Sequence, residues 1–318
     1  MLNSINRATT TGVCNMQTDL FSSFLKFRLW ALLFLTILTL PGSVNRVAAQ
    51  VQEKKTVRIA LLSDTHTTRG TAEDQTLYKG HLDQVIAQVN QAKVDVVLIA
   101  GDLTQGGKAQ DQVDFQAQIK GFKVPVLVVP GNHDIGNKTT PEQAGTVTTK
   151  RVAAFEQAHG PSFWSDSRFG IRILGISSPM LGSGLPREAE QWTFLEKELA
   201  RPSALPTLLL THYPLFVKSP DEPGGVYWNI EPEPRKRLLA LLKQGGVSAV
   251  LSGHLHRPLK LQEGGITYIT TQPVSFGLPR GKQAEGWTLI TVAPDGTIRS
   301  EAHDVPHGKA TRSAGCAG

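Results

Sequence analysis

The run VRIALLSDTH, residues 57–66, decides how the rest of the chain is read. An apolar stretch of strand length stops abruptly at Asp64-Thr65-His66, so side chains with chemistry stand where a strand ends. The same join recurs four more times. Gly101-Asp102 follows VVLIA, Gly131-Asn132-His133-Asp134 follows VLVVP, His212 follows TLLLT, and Gly253-His254-Leu255-His256 follows SAVLS.

Outward from that run, short β-branched or leucine-rich segments alternate with amphipathic helical patterns, which is an α/β layer arrangement. Strands are expected at 57–63, 94–100, 124–129, 171–176, 207–211, 247–251, 266–270 and 287–292. Leu82, Val85, Ile86 and Val89 fall at helical spacing, as do Trp192, Leu195 and Leu199, and Leu238, Leu239, Leu241 and Leu242 ahead of Gly245-Gly246. The last strands lack helical connections, and Asp295-Gly296 signals a hairpin into a strand at 298–302. Mixed sheets are therefore expected, not purely parallel ones.

The first 49 residues differ. Lys26 and Arg28 precede the uncharged LWALLFLTILTL of 29–40, then Pro41-Gly42 and Val47-Ala48-Ala49, the layout of a secretory signal. Export to a periplasmic or external space is expected, with the membrane reached only through an uncleaved leader. Twelve uncharged residues fall short of the roughly 20 that a spanning helix needs. The domain plan is thus a leader at 1–49, one domain at 50–305, and a disordered tail at 306–318. Cys14 and Cys316 lie in the leader and tail, so no disulfide is expected inside the domain.

The whole chain of 318 residues carries a formal charge of +6. The leader has four basic residues against one acidic, which leaves about +3 on the remainder. A polyanion-binding surface is not indicated, and no nucleic-acid partner is expected.

Each polar cluster alone has an ordinary explanation. A strand-end Asp usually caps or turns, Gly-Asn is common turn chemistry, and a lone His is more often hydrogen-bonded than ligating. Together the five clusters argue differently. In open α/β sheets, ligands bind beyond the carboxyl ends of the strands, so loops distant in sequence converge there. Carboxylates, an amide and several imidazoles gathered at an interior edge are costly unless a cation neutralises them. Oxygen and imidazole donors without a thiol suit Mn, Fe, Zn, Ni or Co, and seven of them exceed what one ion takes.

The order D-x-H, G-D, G-N-H-D, H, G-H-x-H resembles that of the calcineurin-like metallophosphoesterases, over about residues 56–303. The resemblance implies an α/β fold with two mixed sheets in a four-layer α/β/β/α sandwich. It also implies that Asp64, His66 and His256 hold one metal ion, that Asn132, His212 and His254 hold the other, and that Asp102 bridges them. Mn, Fe and Zn are the leading candidates for the two divalent or trivalent ions. His133 would stand by the substrate as proton donor or charge stabiliser. Asp134 would support it by orienting that imidazole, with turn capping as the alternative. Two cations roughly 4 Å apart lower the pKa of water, clamp phosphate oxygens and favour in-line attack on phosphorus.

The expected activity is hydrolysis of a small-molecule or protein phosphate ester, mono- or diester. The D-x-H start and GNHD resemble a cyclic-nucleotide phosphodiesterase branch of the superfamily. The run from HYPLF to SGHLHR resembles a protein-phosphatase branch. Gln105 stands where purple acid phosphatases place a tyrosine, which argues against that subclass. Tyr213 and Arg257 are candidate substrate contacts, and the proline-rich aromatic stretch at 213–234 is a candidate lid. His81, His159, His303 and His307 are expected at the surface. Two alternatives stay open: a metal-bearing binding module that has lost catalysis, and a nuclease of the same superfamily.

Overall fold

The computed structural model describes residues 55–140 and 147–306. The leader at 1–49, His307 and, apart from Pro306, the tail at 306–318 lie outside the described residues. Along the chain run β1 (Val57–Leu62), α1 (Ala72–Gln91), β2 (Val96–Ala100), α2 (Ala109–Ile119), β3 (Val126–Val129), α3 (Asn132–Ile135), α4 (Thr149–His159), β4 (Trp164–Asp166) and β5 (Arg172–Gly175). Then follow α5 (Pro186–Ala200), β6 (Thr207–Leu210), α6 (Pro232–Gln244), β7 (Val247–Ser252), β8 (Leu259–Glu263), β9 (Ile266–Thr270), β10 (Gly286–Val292) and β11 (Ile298–Asp304).

These strands form two mixed sheets. One has the order β11-β10-β1-β2-β3 and the other β4-β5-β6-β7-β9-β8. Strands β1, β2 and β3 run parallel, whereas β10 and β11 are antiparallel at one edge. In the second sheet β5, β6, β7 and β9 are parallel, flanked by antiparallel β4 and β8.

Three apolar layers hold the sheets and helices together. Ile59, Leu61, Leu98, Leu210, Leu251 and Ile290 pack between the sheets. Alternate residues Ala60 and Leu62 turn the other way, toward Leu82 and Val85 of α1, Phe115 of α2 and Phe155 of α4. Trp192 and Leu195 of α5 and Leu238 and Leu242 of α6 cover the second sheet. The result is helices, sheet, sheet, helices, the four-layer sandwich expected.

Strand register places the chemistry. Leu62 pairs with Ile99, and Ala100 with Val129, so β1, β2 and β3 end nearly level. Asp64, Asp102 and Asn132 therefore emerge side by side. On the second sheet Leu210 pairs with Leu251, which brings His212 and His254 out together.

The structure adds two strands that periodicity did not reveal. β4 is only three residues long, and β8 (LKLQE) exposes alternate polar residues at a sheet edge. The histidines outside the motifs are also more enclosed than expected. His81 is buried, and its Nδ1–H donates to Ser275 O at 2.9 Å, tying α1 to the segment after β9. His159 is half-buried beside the ring of Phe155 at 4.9 Å, and half-buried His303 stacks on Trp287 at 4.3 Å. Aromatic packing took up rings that sequence spacing could not place.

Candidate metal centre

Five of the six non-glycine residues with positive φ among those described are Asp64, His66, Asp102, His254 and His256. Such backbone costs free energy and persists where surrounding structure imposes it, which marks functional sites. The loops lock one another: Asp64 N–H donates to Gly101 O and His66 N–H to Asp102 O, both at 3.0 Å. His254 N–H donates to Asp64 Oδ2, also at 3.0 Å.

The side chains converge in two groups that share one carboxylate. Ligand atoms of Asp64, His66, Asp102 and His256 lie within 4.8 Å of one another, and so do those of Asp102, His212 and His254. All six residues are buried. Asn132 joins the second group, its Oδ1 being 3.0 Å from His212 Nε2. All seven residues singled out as ligands are thus brought together.

Outer hydrogen bonds aim the donor atoms inward. His212 donates its Nδ1–H to Ala100 O at 2.7 Å, and His256 donates its own to Phe276 O at 2.6 Å. His254 donates Nε2–H to Tyr227 O at 3.1 Å, and Asn132 donates from Nδ2 to the Tyr227 hydroxyl at 3.0 Å. Each ring then turns its other nitrogen, and the amide its oxygen, toward the cluster. The inner nitrogens crowd one another: His66 Nε2 and His256 Nε2 are 3.2 Å apart, as are His254 Nδ1 and His212 Nε2. Asp64 Oδ1 and His66 Nδ1 are buried with no hydrogen-bond partner among the described residues. Buried nitrogen and oxygen donors gathered this closely are complementary to cations, so the donor set fits two metal ions.

The electrostatics agree. Burial would raise the Asp102 carboxyl, but His212 and His66 outweigh it and hold it well below the usual range. Burial would lower His212, yet Asp102 and Asp64 bring it up to about 9. Burial takes His66 down to about 4, and burial with the neighbouring His212 takes His254 to about 3. Burial would also lower His256, but Asp64 holds it up. With protein charges alone the carboxylates attract positive charge: His66 and His254 stay neutral, the state that ligates, while His212 and His256 hold protons that a bound cation would displace.

The supporting residues depart from the sequence reading. His133 is half-buried, and its ring meets that of His66 edge-on at 4.6 Å. Its Nδ1–H donates to Gln105 O at 2.8 Å, so a backbone carbonyl orients this imidazole. Asp134 does not. Its buried carboxylate accepts from Leu103 N (3.1 Å), Thr104 N (3.0 Å), Thr104 Oγ1 (2.9 Å) and Gly131 N (2.9 Å). It caps and ties together the two loops that carry Asp102 and Asn132. Burial and then the Asp102 charge push its carboxyl up to about 6, against the backbone donors of Gly131, Thr104 and Leu103.

Tyr213 is also corrected: it is fully buried, with its ring 4.2 Å from that of His254, so it braces the imidazole from behind. Arg257 is half-buried next to His256. The aromatics at the opening are Tyr227 and Trp228, 44% and 41% exposed. Tyr227 and the carbonyls of Ala100 and Phe276 went unnoticed as ligand-orienting groups, as did the Gln105 carbonyl that orients His133. A carbonyl carries no residue-type signal, so only the loop aromatics offered a clue.

The stretch at 213–234 is a fixed strap. Glu222 accepts from Val217 N at 2.7 Å and Lys218 N at 2.8 Å. Lys138, buried, donates to Val226 O at 2.8 Å and Glu231 Oε1 at 2.7 Å.

Comparison with known proteins supports the same reading. The chain is 29% identical over 231 residues to serine/threonine-protein phosphatase CPPED1 of Danio rerio, covering 68% of this chain and 71% of that one. It is 26% identical over 266 residues to the 3',5'-cyclic adenosine monophosphate phosphodiesterase CpdA of Escherichia coli K12, covering 78% and 89%. A dimetal phosphatase structure from Danio rerio shares the fold, with a TM-score of 0.54 at 12% identity, covering 78% and 96%. The family description "Calcineurin-like phosphoesterase" matches residues 57–258. The chain therefore belongs to the calcineurin-like phosphoesterase family and is a metal-dependent phosphoesterase.

Proposed function

We propose that Asp64, His66 and His256 hold one transition-metal ion, that Asn132, His212 and His254 hold a second, and that Asp102 is shared. When bound, such a pair supplies Lewis acidity toward phosphate oxygens and a nucleophile at neutral pH. Mn, Fe or Zn suits these donors. The carrying observation is the inward aim of the imidazole nitrogens, enforced by carbonyls at Ala100, Tyr227 and Phe276.

In this reading His133 acts on the substrate. Its Nδ1–H is engaged by Gln105 O, which leaves Nε2 as the nitrogen that gives a proton to the leaving oxygen. The ring stands against His66 without joining the ligand groups. Export also belongs to the proposal, on the leader at 1–49, and an amino terminus near Gln50 on protein recovered outside the cytoplasm would test it.

The enzymatic test is hydrolysis of p-nitrophenyl phosphate and its bis-ester with added Mn²⁺, repeated after chelation. Turnover that falls at least about 100-fold on chelation and returns with metal is expected. Turnover indifferent to metal would contradict the assignment.

A further inference from the structure

A cavity of about 690 Å³ adjoins the ligand cluster. Val217, Val226 and Trp228 of the strap form one wall, and Leu255, Leu278 and Pro279 the other. Its walls are next to the proposed centre: Leu255 separates His254 from His256, Leu278 N–H donates to His256 O at 2.9 Å, and the Trp228 ring is 5.8 Å from that of His254. A phosphate beside those imidazoles would have this cavity as its neighbour.

The cavity is preformed and largely apolar. Its strap wall is pinned by Glu222 and by Lys138, whose ammonium also donates to Asn229 O. Volumes of about 300–1,000 Å³ with mostly hydrophobic walls are typical of small-molecule sites. The charges favour an anionic guest. Glu222 faces backbone N–H groups and lies 3.8 Å from Arg235, whereas Arg257 and Lys218 make no ion pair among the described residues. Among the described residues, three of the four exposed large hydrophobics, Val226, Tyr227 and Trp228, are consecutive, and Val226 and Trp228 line this cavity. An apolar patch beside a polar centre marks a place for a ligand's apolar part.

We propose that the cavity is the subsite for the organic group of the substrate, making the chain selective for phosphate esters of hydrophobic alcohols, aryl or alkyl. Arg257 and Lys218 at the rim attract the anionic oxygens of the same molecule. The proposal rests on the phosphoesterase reading above.

The test uses methyl-, butyl- and hexylphosphonate as competitors of p-nitrophenyl phosphate on the Mn²⁺-loaded full chain, with calorimetric titration in parallel. Affinity should rise with chain length, by up to about threefold per methylene buried, so that hexylphosphonate binds at least ~30-fold tighter than methylphosphonate. Leu278→Arg and Val217→Asp, from opposite walls, should each reduce that ratio about tenfold or more. Equal affinities across the series in the natural protein would overturn the proposal, as would a ratio unchanged in both variants. A phosphoserine peptide binding more tightly than hexylphosphonate, with the same loss in both variants, would overturn it in favour of a polypeptide. Absence of p-nitrophenyl phosphate turnover would fail the phosphoesterase reading alone, since calorimetry still reports the length dependence.

Discussion

The backbone N–H of His133 donates to Asp102 Oδ1 at 2.8 Å. That bond leaves Asp102 Oδ2 facing His212 Nε2 at 3.3 Å and His66 Nε2 at 3.7 Å, one histidine from each ligand group. The residue proposed to donate the proton thus has its main chain fixed on the carboxylate proposed to be shared. Its side chain is separately fixed on Gln105 O. Position and chemistry are divided between two parts of one residue, so they are separable by mutation.

Asp102→Ala removes the shared carboxylate and should empty or halve the metal content and abolish turnover. His133→Ala keeps its backbone N–H, so both metals should remain while the rate falls roughly 10²–10⁴-fold. Metal analysis beside steady-state kinetics checks the pair, and the reverse pattern would contradict the roles.

Gly131 permits a close approach that no other residue allows. An added Cβ would lie 2.1 Å from Asp102 Oδ1 and 2.2 Å from Asp102 N. Gly131→Ala should therefore displace Asp102 and weaken metal binding at least about tenfold, a loss of about 1.4 kcal/mol. Gly80, inside α1, has nothing within 4 Å of its added Cβ. Gly80→Ala should raise stability by about 0.5–1 kcal/mol. Metal titration and urea unfolding of both variants check the contrast.

Asp134→Ala leaves the N–H groups of Leu103, Thr104 and Gly131 without their acceptor. Stability should fall by about 2 kcal/mol or more, read from the urea midpoint of the metal-free protein. A change below about 0.5 kcal/mol would mean that the bonds are replaced by water.

His159 gives a pH dependence distant from the metal residues. Its Nδ1 accepts from Gln116 Nε2 at 2.6 Å, which requires a neutral imidazole, and burial lowers its pKa from 6.5 to about 4. The unfolded chain then binds the proton more readily than the folded one. His159 should favour the fold fully above pH 6.5, with that contribution declining as pH falls toward 4. Urea unfolding from pH 7 to 4.5 should show a steeper loss for the natural protein than for His159→Gln. Equal slopes would contradict the buried neutral state.

Much of this was legible in the residues because strands end in a repeated way. Each apolar run beside Asp64, Asp102, Asn132, His212 and His254 closes on a polar cluster, and parallel pairing makes neighbouring ends meet. Less legible was anything set by tertiary contact. WSD at β4 is too short for a period, and LKLQE at β8 is half-exposed at an edge. Asp134 looked like a partner of its neighbour His133, but its carboxylate points to backbone donors across the loop. Tyr213 looked available in a loop, yet it lies under His254. Among the described residues the strap is held by Lys138, which lies far from it in sequence.

The most direct test is anomalous diffraction from crystals of the full chain grown with Mn²⁺. Two peaks should appear, both contacting Asp102, one beside Asp64, His66 and His256 and the other beside Asn132, His212 and His254. A single peak, or peaks away from Asp102, would contradict the account.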